Sequence, residues 1–231
     1  MKKVAVLQSN YIPWRGYFDI IKDVDLFVFY DEVQYTTRDW RNRNKIYTKD
    51  GLKWITVPCG NDRNRSICDV KITQGMNWQT EHHGLICDTY RKAPHIDKYK
   101  PFLDYIFLER SWEYLSELNQ YIIKHVSHEI LGLDTEFADS TDYQTSGQKN
   151  DKLLSLVLAT GASHYLSGPA AKAYLDEEAF TNQGIAVQWK DYSGYPEYKQ
   201  TREPFEGNVS IIDLLVNVGD DAPYYVWGWR D

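Results

Sequence analysis

Cysteine and methionine are scarce in this 231-residue chain, at three and two. Cys59, Cys68 and Cys87 form no CxxC pair, and an odd, scattered set is not the disulfide framework of a small secreted protein. The expectation is a reduced, cytoplasmic setting. Long apolar runs are missing as well. The opening MKKVAVLQSNY carries lysines, but its apolar stretch stops at Gln8, and nothing later approaches the ~20 apolar residues that cross a bilayer. No membrane partner is expected. Positive charge is outweighed, with a formal net charge of −7, which argues against a general nucleic-acid coat while leaving room for a local basic face that grips phosphate. There is no GxSxG elbow, HExxH pair or kinase signature, no internal repeat and no low-complexity linker.

What is abundant is aromatic: eight Trp and eighteen Tyr, rings with polar tips that suit stacking and wet pockets as well as cores. The length fits a single α/β domain over 1–231. Strands are expected at 3–8 and 25–30 around a helix at 16–23, the alternation of a parallel, Rossmann-like sheet. RNKIYT and KWITVPC read as an inserted β-hairpin turning at Lys49, Asp50 and Gly51. Residues 77–132 read as helical, a flank or lid, with one helix ending before Pro94 and another stopping at Gly132. The alternation then resumes: TEFADS as strand, NDKLLSLVLATG as helix, SHYLSG as strand, PAAKAYL as a helix begun by proline, IAVQW as strand, and NVSIIDLLVNVG as a helix capped by Asn208 or Ser210.

In an open parallel sheet, ligands bind beyond the carboxyl ends of the strands. QSNYIPWRGYF stands there after the first strand. Gln8 and Asn10 can donate and accept hydrogen bonds, Tyr11 and Trp14 can stack, and Arg15 can clamp a carboxylate or phosphate. The same residues would also make a polar turn with a buried aromatic side. After the second strand comes DEVQYTTRDWRNRNKIY, where Arg38, Arg41, Arg43 and Lys45 are interleaved with Trp40, Asn42 and Asn44, a mixture suited to holding phosphate beside a stacked ring. Asp31 is placed to take an ammonium group or a proton, so Asp31, Gln8 and Asn10 are the candidate catalytic groups. Ser167, Gly168 and Lys172 lie between a strand and an expected helix N-terminus, whose free amides attract an anion; Lys149 is a secondary candidate at another helix entrance. His82, His83 and Cys87, with Cys59 and Cys68, have no regular metal-ligand spacing, so no metal and no cofactor is called for. Gln8, Asn10, Asp31 and Ser167 are expected around one cavity.

Taken together and in order, LQSNYIPWRGYFDII, DLFVFYDEVQY, WRNRNKIY, WITVP, YLSGPAAKAYL and SIIDLLVNVG resemble the WbqC-like protein family over nearly the whole chain, with Ser9 where that family usually has proline. Members often sit in surface-polysaccharide (O-antigen) gene clusters, where a glycine-transferase role has been suggested. The resemblance therefore implies a transferase joining an amino acid, glycine first, to a phosphorylated or nucleotide-linked acceptor such as a sugar. Two other readings stand beside it: transfer to a phosphorylated base in DNA, as in viral base hypermodification, and a non-catalytic module that binds a nucleotide or sugar phosphate. The partners expected are thus a small amino acid and a phosphorylated acceptor, with nucleic acid open and the oligomeric state unspecified.

Overall fold

The computed structural model describes residues 1–230. Five strands form one parallel sheet in the order β5-β2-β1-β6-β7, where β1 is Lys3–Leu7, β2 Leu26–Phe29, β5 Glu136–Asp139, β6 His164–Ser167 and β7 Ala186–Trp189. Two more, β3 (Arg43–Thr48) and β4 (Gly51–Thr56), pair antiparallel as a separate hairpin. Its register pairs Thr48 with Gly51, leaving Lys49-Asp50 as the turn, and Gly51 supplies a φ of 98° that a side chain would resist.

The sheet is covered on both faces, which is why its strands read as unbroken apolar runs. Successive side chains alternate between the faces. Ala5, Phe27 and Phe29 pack with helices α1 (Arg15–Lys22), α2 (Trp78–Tyr90), α3 (Ile96–Asp104), α4 (Leu115–His125) and α7 (Ile211–Val218) in one apolar cluster. Val4, Val6, Leu26 and Val28 pack on the other face with α5 (Asn150–Ala159) and α6 (Glu177–Asn182). A short α8 (Ala222–Val226) completes the chain's helices and packs with the first cluster through Ala222 and Val226. The expected α/β class, the mostly parallel sheet and the inserted hairpin are all present. No helix among the described residues is long and apolar enough to cross a membrane.

Several local expectations need correction. PAAKAYL is not an α-helix: Pro169–Ala173 makes a five-residue 3-10 turn. Asp176 interrupts it, because its carboxylate accepts from the Ala179 N–H at 3.1 Å and starts α6 instead, an N-cap competing with helix continuation. α3 lies within the stretch 77–132 read as helical and continues through Pro101, a residue that usually breaks a helix. At α7 the cap is Ser210, whose Oγ accepts from the Ile212 N–H at 3.1 Å.

Candidate functional site

The strand order reverses direction between β1 and β6: β2 and β5 lie to one side of β1, β6 and β7 to the other. A crevice opens beyond the carboxyl ends of strands at such a point. Here it is a cavity of about 500 Å3 lined by Gln8, Tyr30, Lys149, Asn150, Ser167 and Gly168, among others. Lys149 and Asn150 stand at the N-terminal end of α5, where unpaired amides and the helix dipole favour an anion. With PAAKAYL reduced to a 3-10 turn, this helix entrance replaces the one expected after Gly168. Lys172 does not line the cavity; its ammonium sits 5.5 Å from the Trp189 ring centroid.

The turn after β1 has a buried side and an open side. On the buried side, Tyr11 is fully enclosed, with its hydroxyl 2.8 Å from His82 Nδ1. Burial drives the His82 imidazole down to about 4, against a smaller upward pull from the Thr56 backbone. Ile12 has a φ of 37°, unfavourable for a β-branched residue. Asn44 holds it there by donating to the carbonyls of Tyr11 and Ile12 at 3.1 and 2.8 Å. Arg15 turns away from both strand ends. It donates to the carbonyl of Pro196 at 2.8 Å and lies 4.7 Å from the Tyr195 ring centroid, so its guanidinium is committed to the C-terminal segment.

Asp31 is buried as well. One carboxylate oxygen accepts from the Ser9 N–H at 2.8 Å, the other from Gln120 Nε2 at 3.1 Å, and Gln120 also donates to Asp139 at 2.6 Å. Desolvation raises the Asp31 carboxyl above its ordinary range, opposed by those hydrogen bonds. It lines neither of the two cavities described here. Of the four residues expected around one cavity, Gln8 and Ser167 meet, Asn10 lines a second cavity, and Asp31 acts from behind the turn.

That second cavity, about 280 Å3, has Asn10, Trp14, Trp40, Asn44, Lys45 and Asn208 in its wall. Arg41 ties the two together. Its guanidinium donates to Asn10 Oδ1 and, at 3.1 Å, to Gln8 Oε1, one wall residue of each cavity. α4 docks this segment, Asn119 donating to the Arg41 carbonyl at 2.8 Å. Arg43 stacks 4.1 Å from the Trp54 centroid, Asn42 is buried and donates to the Val57 carbonyl, and Arg38 is exposed with a φ of 56°. Trp14 reaches its place because residue 16 is glycine: a Cβ there would collide with the Trp14 indole.

Trp54, Tyr192, Asn208, Asn119 and Gln120 were not singled out from the sequence as site residues. Tyr192 packs edge-on against Trp14 at 5.4 Å between centroids, with its hydroxyl 3.6 Å from where a Cβ on Gly168 would stand, so it links the two cavities' walls. Asn208 had no local signal, lying far along the chain from its cavity partners. Of the scattered metal-type residues, His83 pairs with Asp104 at 2.6 Å, while burial pushes the Cys59 thiol up to about 12. Among the described residues no group of three or more His, Cys, Asp or Glu side chains is arranged to hold a metal ion.

No solved structure matches this chain. Among curated proteins it is similar to Uncharacterized protein Rv1507c of Mycobacterium tuberculosis (strain ATCC 25618 / H37Rv), 44% identical over 227 residues, 98% of each chain. The WbqC-like protein family matches residues 8–225, a span that takes in β1's turn, the hairpin, the α5 entrance and the segment carrying Asn208. On that match the chain belongs to the WbqC-like protein family.

Proposed function

We propose that this protein transfers an amino acid, glycine being the first candidate, to an activated acceptor that carries phosphate. The observation that carries the reading is Arg41, whose guanidinium bonds Gln8 in the switch-point cavity and Asn10 in the Trp14/Trp40 cavity. Two cavities joined by one cation suit a two-substrate reaction at an anionic centre. The route that fits is displacement. The amine of the amino acid attacks an acceptor carbon bearing a phosphate ester, a C–N bond forms, the C–O bond breaks, and its electron pair leaves with the phosphate. The proton lost by the amine goes to the departing phosphate or to water. Arg41, with Lys149 at the α5 entrance, stabilises the charge that develops on the leaving group, while Asp31 holds the turn through the Ser9 N–H.

Acyl transfer through an enzyme thioester has less support, since none of the three cysteines lines either cavity. A phosphorylated base in DNA is a second acceptor supported by a specific observation: Trp40 and Trp54 are exposed beside Arg43 and Lys45, a surface that suits a strand. The test is incubation of the protein with isotopically labelled glycine and either nucleotide-linked sugars or DNA bearing a phosphorylated hydroxymethyl base, followed by mass spectrometry. An acceptor that gains labelled glycine and loses phosphate supports the reading. Acceptors that bind and are recovered unchanged with every amino acid tried would make this a binding module.

A further inference from the structure

The cavity walled by Trp14 and Trp40 is the feature whose chemistry is most specific and least used by the reaction just described. At about 280 Å3 it falls below the ~300–1,000 Å3 typical of sites for drug-sized ligands, so it has room for one ring system and little more. Indoles on its wall favour a flat π-face. Its rim is amide: Asn10 spends its carbonyl on Arg41, which leaves its amino group to donate, and Asn208 presents an exposed side-chain amide beside it. An amide donor and acceptor at the edge of a flat slot match the edge of a heterocycle.

Charge narrows the ligand further. No carboxylate lines the slot, and Lys45, in its wall, makes no ion pair among the described residues. Its ammonium instead sits 6.0 Å from the Trp40 centroid and 5.1 Å from that of Trp54. Arg43 stacks on Trp54, and Arg41 reaches the neighbouring Asn10. In a chain of net charge −7, cations packed among indoles that are 42% and 40% exposed mark an anionic aromatic ligand. An uncharged side chain would need the rings without the cations, and inorganic phosphate the cations without the rings.

We infer that this slot is a nucleobase subsite: the acceptor carries a nucleotide whose base stacks against Trp40 and Trp14 while its phosphate lies toward Arg41 and Lys45. The nucleotide's role as acceptor rests on the transferase reading; its binding does not. Free nucleotides and single strands share this chemistry, and the experiment separates them. The intact protein is titrated by calorimetry with the five common nucleoside 5′-monophosphates, a short oligothymidylate, ribose 5-phosphate and inorganic phosphate. At least one monophosphate is expected to bind ~10-fold or more tightly than ribose 5-phosphate, since one base–aromatic stack contributes ~1–3 kcal/mol. Trp40→Ala should weaken it by about 5- to 150-fold on the same scale, Trp40→Phe should restore most of the loss, and Lys45→Ala should weaken it while flattening its salt dependence. Trp40 is exposed, so circular dichroism of these variants should match the wild type.

Tighter binding of oligothymidylate than of thymidine monophosphate identifies a strand as the source; the reverse order identifies a free nucleotide. Ribose 5-phosphate binding as well as every nucleotide, or nucleotide affinity untouched by Trp40→Ala, overturns the subsite. Transfer of glycine to a phosphorylated sugar lacking a base, at a rate indifferent to Trp40→Ala, would keep the transferase and remove the subsite. Nucleotide binding lost in Trp40→Ala, with no amino acid ever transferred, would keep the subsite and remove the transferase.

Discussion

Arg15 and Arg41 flank the same turn, and they have opposite surroundings. Arg15 starts α1 and is enclosed, its guanidinium held by backbone carbonyls and by the rings of Tyr195, Tyr198 and Phe205. Around it the chain is locked: Asp19, wholly buried, accepts from Lys190 and Arg230 at 2.7 Å each and from the Tyr195 hydroxyl. Arg41 bonds only side-chain amides in the wall of open cavities, with an ion pair to Asp39 no closer than 4.0 Å. The difference teaches how to tell a structural cation from a ligand-binding one. The first is enclosed by carbonyls and rings of its own chain that never leave; the second is positioned by groups that a ligand can share.

The largest effect expected on the buried side comes from Asp19→Ala, which takes from Arg230 its carboxylate and leaves Lys190 with Asp23 alone. Breaking a buried ion pair by removing one partner typically costs ~3–5 kcal/mol, so urea unfolding should show a large loss of stability. Equal stability of Asp19→Ala and wild type would mean the locked region is not locked. The next effect is on pH. His82 has an ordinary imidazole value near 6.5 when unfolded and about 4 when folded. Above pH 6.5 it is neutral in both states and contributes no slope. As pH falls from about 6.5 to 4 the unfolded chain takes up a proton the folded one refuses, so stability declines by up to ~1.4 kcal/mol per pH unit, about 3 kcal/mol in all, and then levels off. Asp31 and Asp213, whose carboxyls are raised by burial, act in the opposite sense across part of that window. The clean measurement is therefore the difference between wild type and His82→Gln, which should shrink as the pH is lowered from 6.5 to 4.

On the open side the expected changes fall on binding instead. Arg41→Ala should weaken a phosphate-bearing acceptor by ~1.5–3 kcal/mol, as for a lost charged hydrogen bond, with little change in urea midpoint. Gly16→Ala is subtler. It should displace the Trp14 indole and lower nucleotide affinity from outside the slot, and an unaltered affinity would show that Trp14 is not a wall the base uses. Arg38→Ala should change acceptor affinity by less than Arg41→Ala, because Arg38 is exposed, whereas Arg41 bonds a wall residue of each cavity.

The sheet was legible because its strands are short apolar runs with helices between them, and the hairpin because Asp50-Gly51 sits between two alternating segments. The site was legible in part. Residues at the carboxyl end of a strand, Gln8 and Ser167, could be placed from topology alone, while Asn10, farther into the turn, lines the other cavity. Whether a side chain turns inward or outward could not: Tyr11 and Trp14 are three residues apart in one aromatic stretch, yet one is sealed against His82 and the other walls a cavity. That choice is made by Ile12's strained backbone, by Asn44 reaching over from the hairpin and by the missing Cβ at Gly16, contacts that no local pattern encodes. Asp31 differs from its expected placement alone: a carboxylate after a strand reads as facing the cavity, and here it is buried behind the turn, accepting one hydrogen bond from the Ser9 N–H and one from Gln120. The 3-10 turn at Pro169 was hidden because proline and alanines favour a helix start, while the cap that ends the run, Asp176, lies beyond it.

The division of the turn into a locked side and a ligand-binding side is tested most directly by calorimetric titration of the nucleoside monophosphate that binds wild type best into Arg41→Ala. The expected result is affinity lower by about 10- to 150-fold, the equivalent of ~1.5–3 kcal/mol, in a protein that retains wild-type circular dichroism. Wild-type affinity in that variant would contradict the account, because the cation that joins the two cavities would then have no part in holding the anion they are built around.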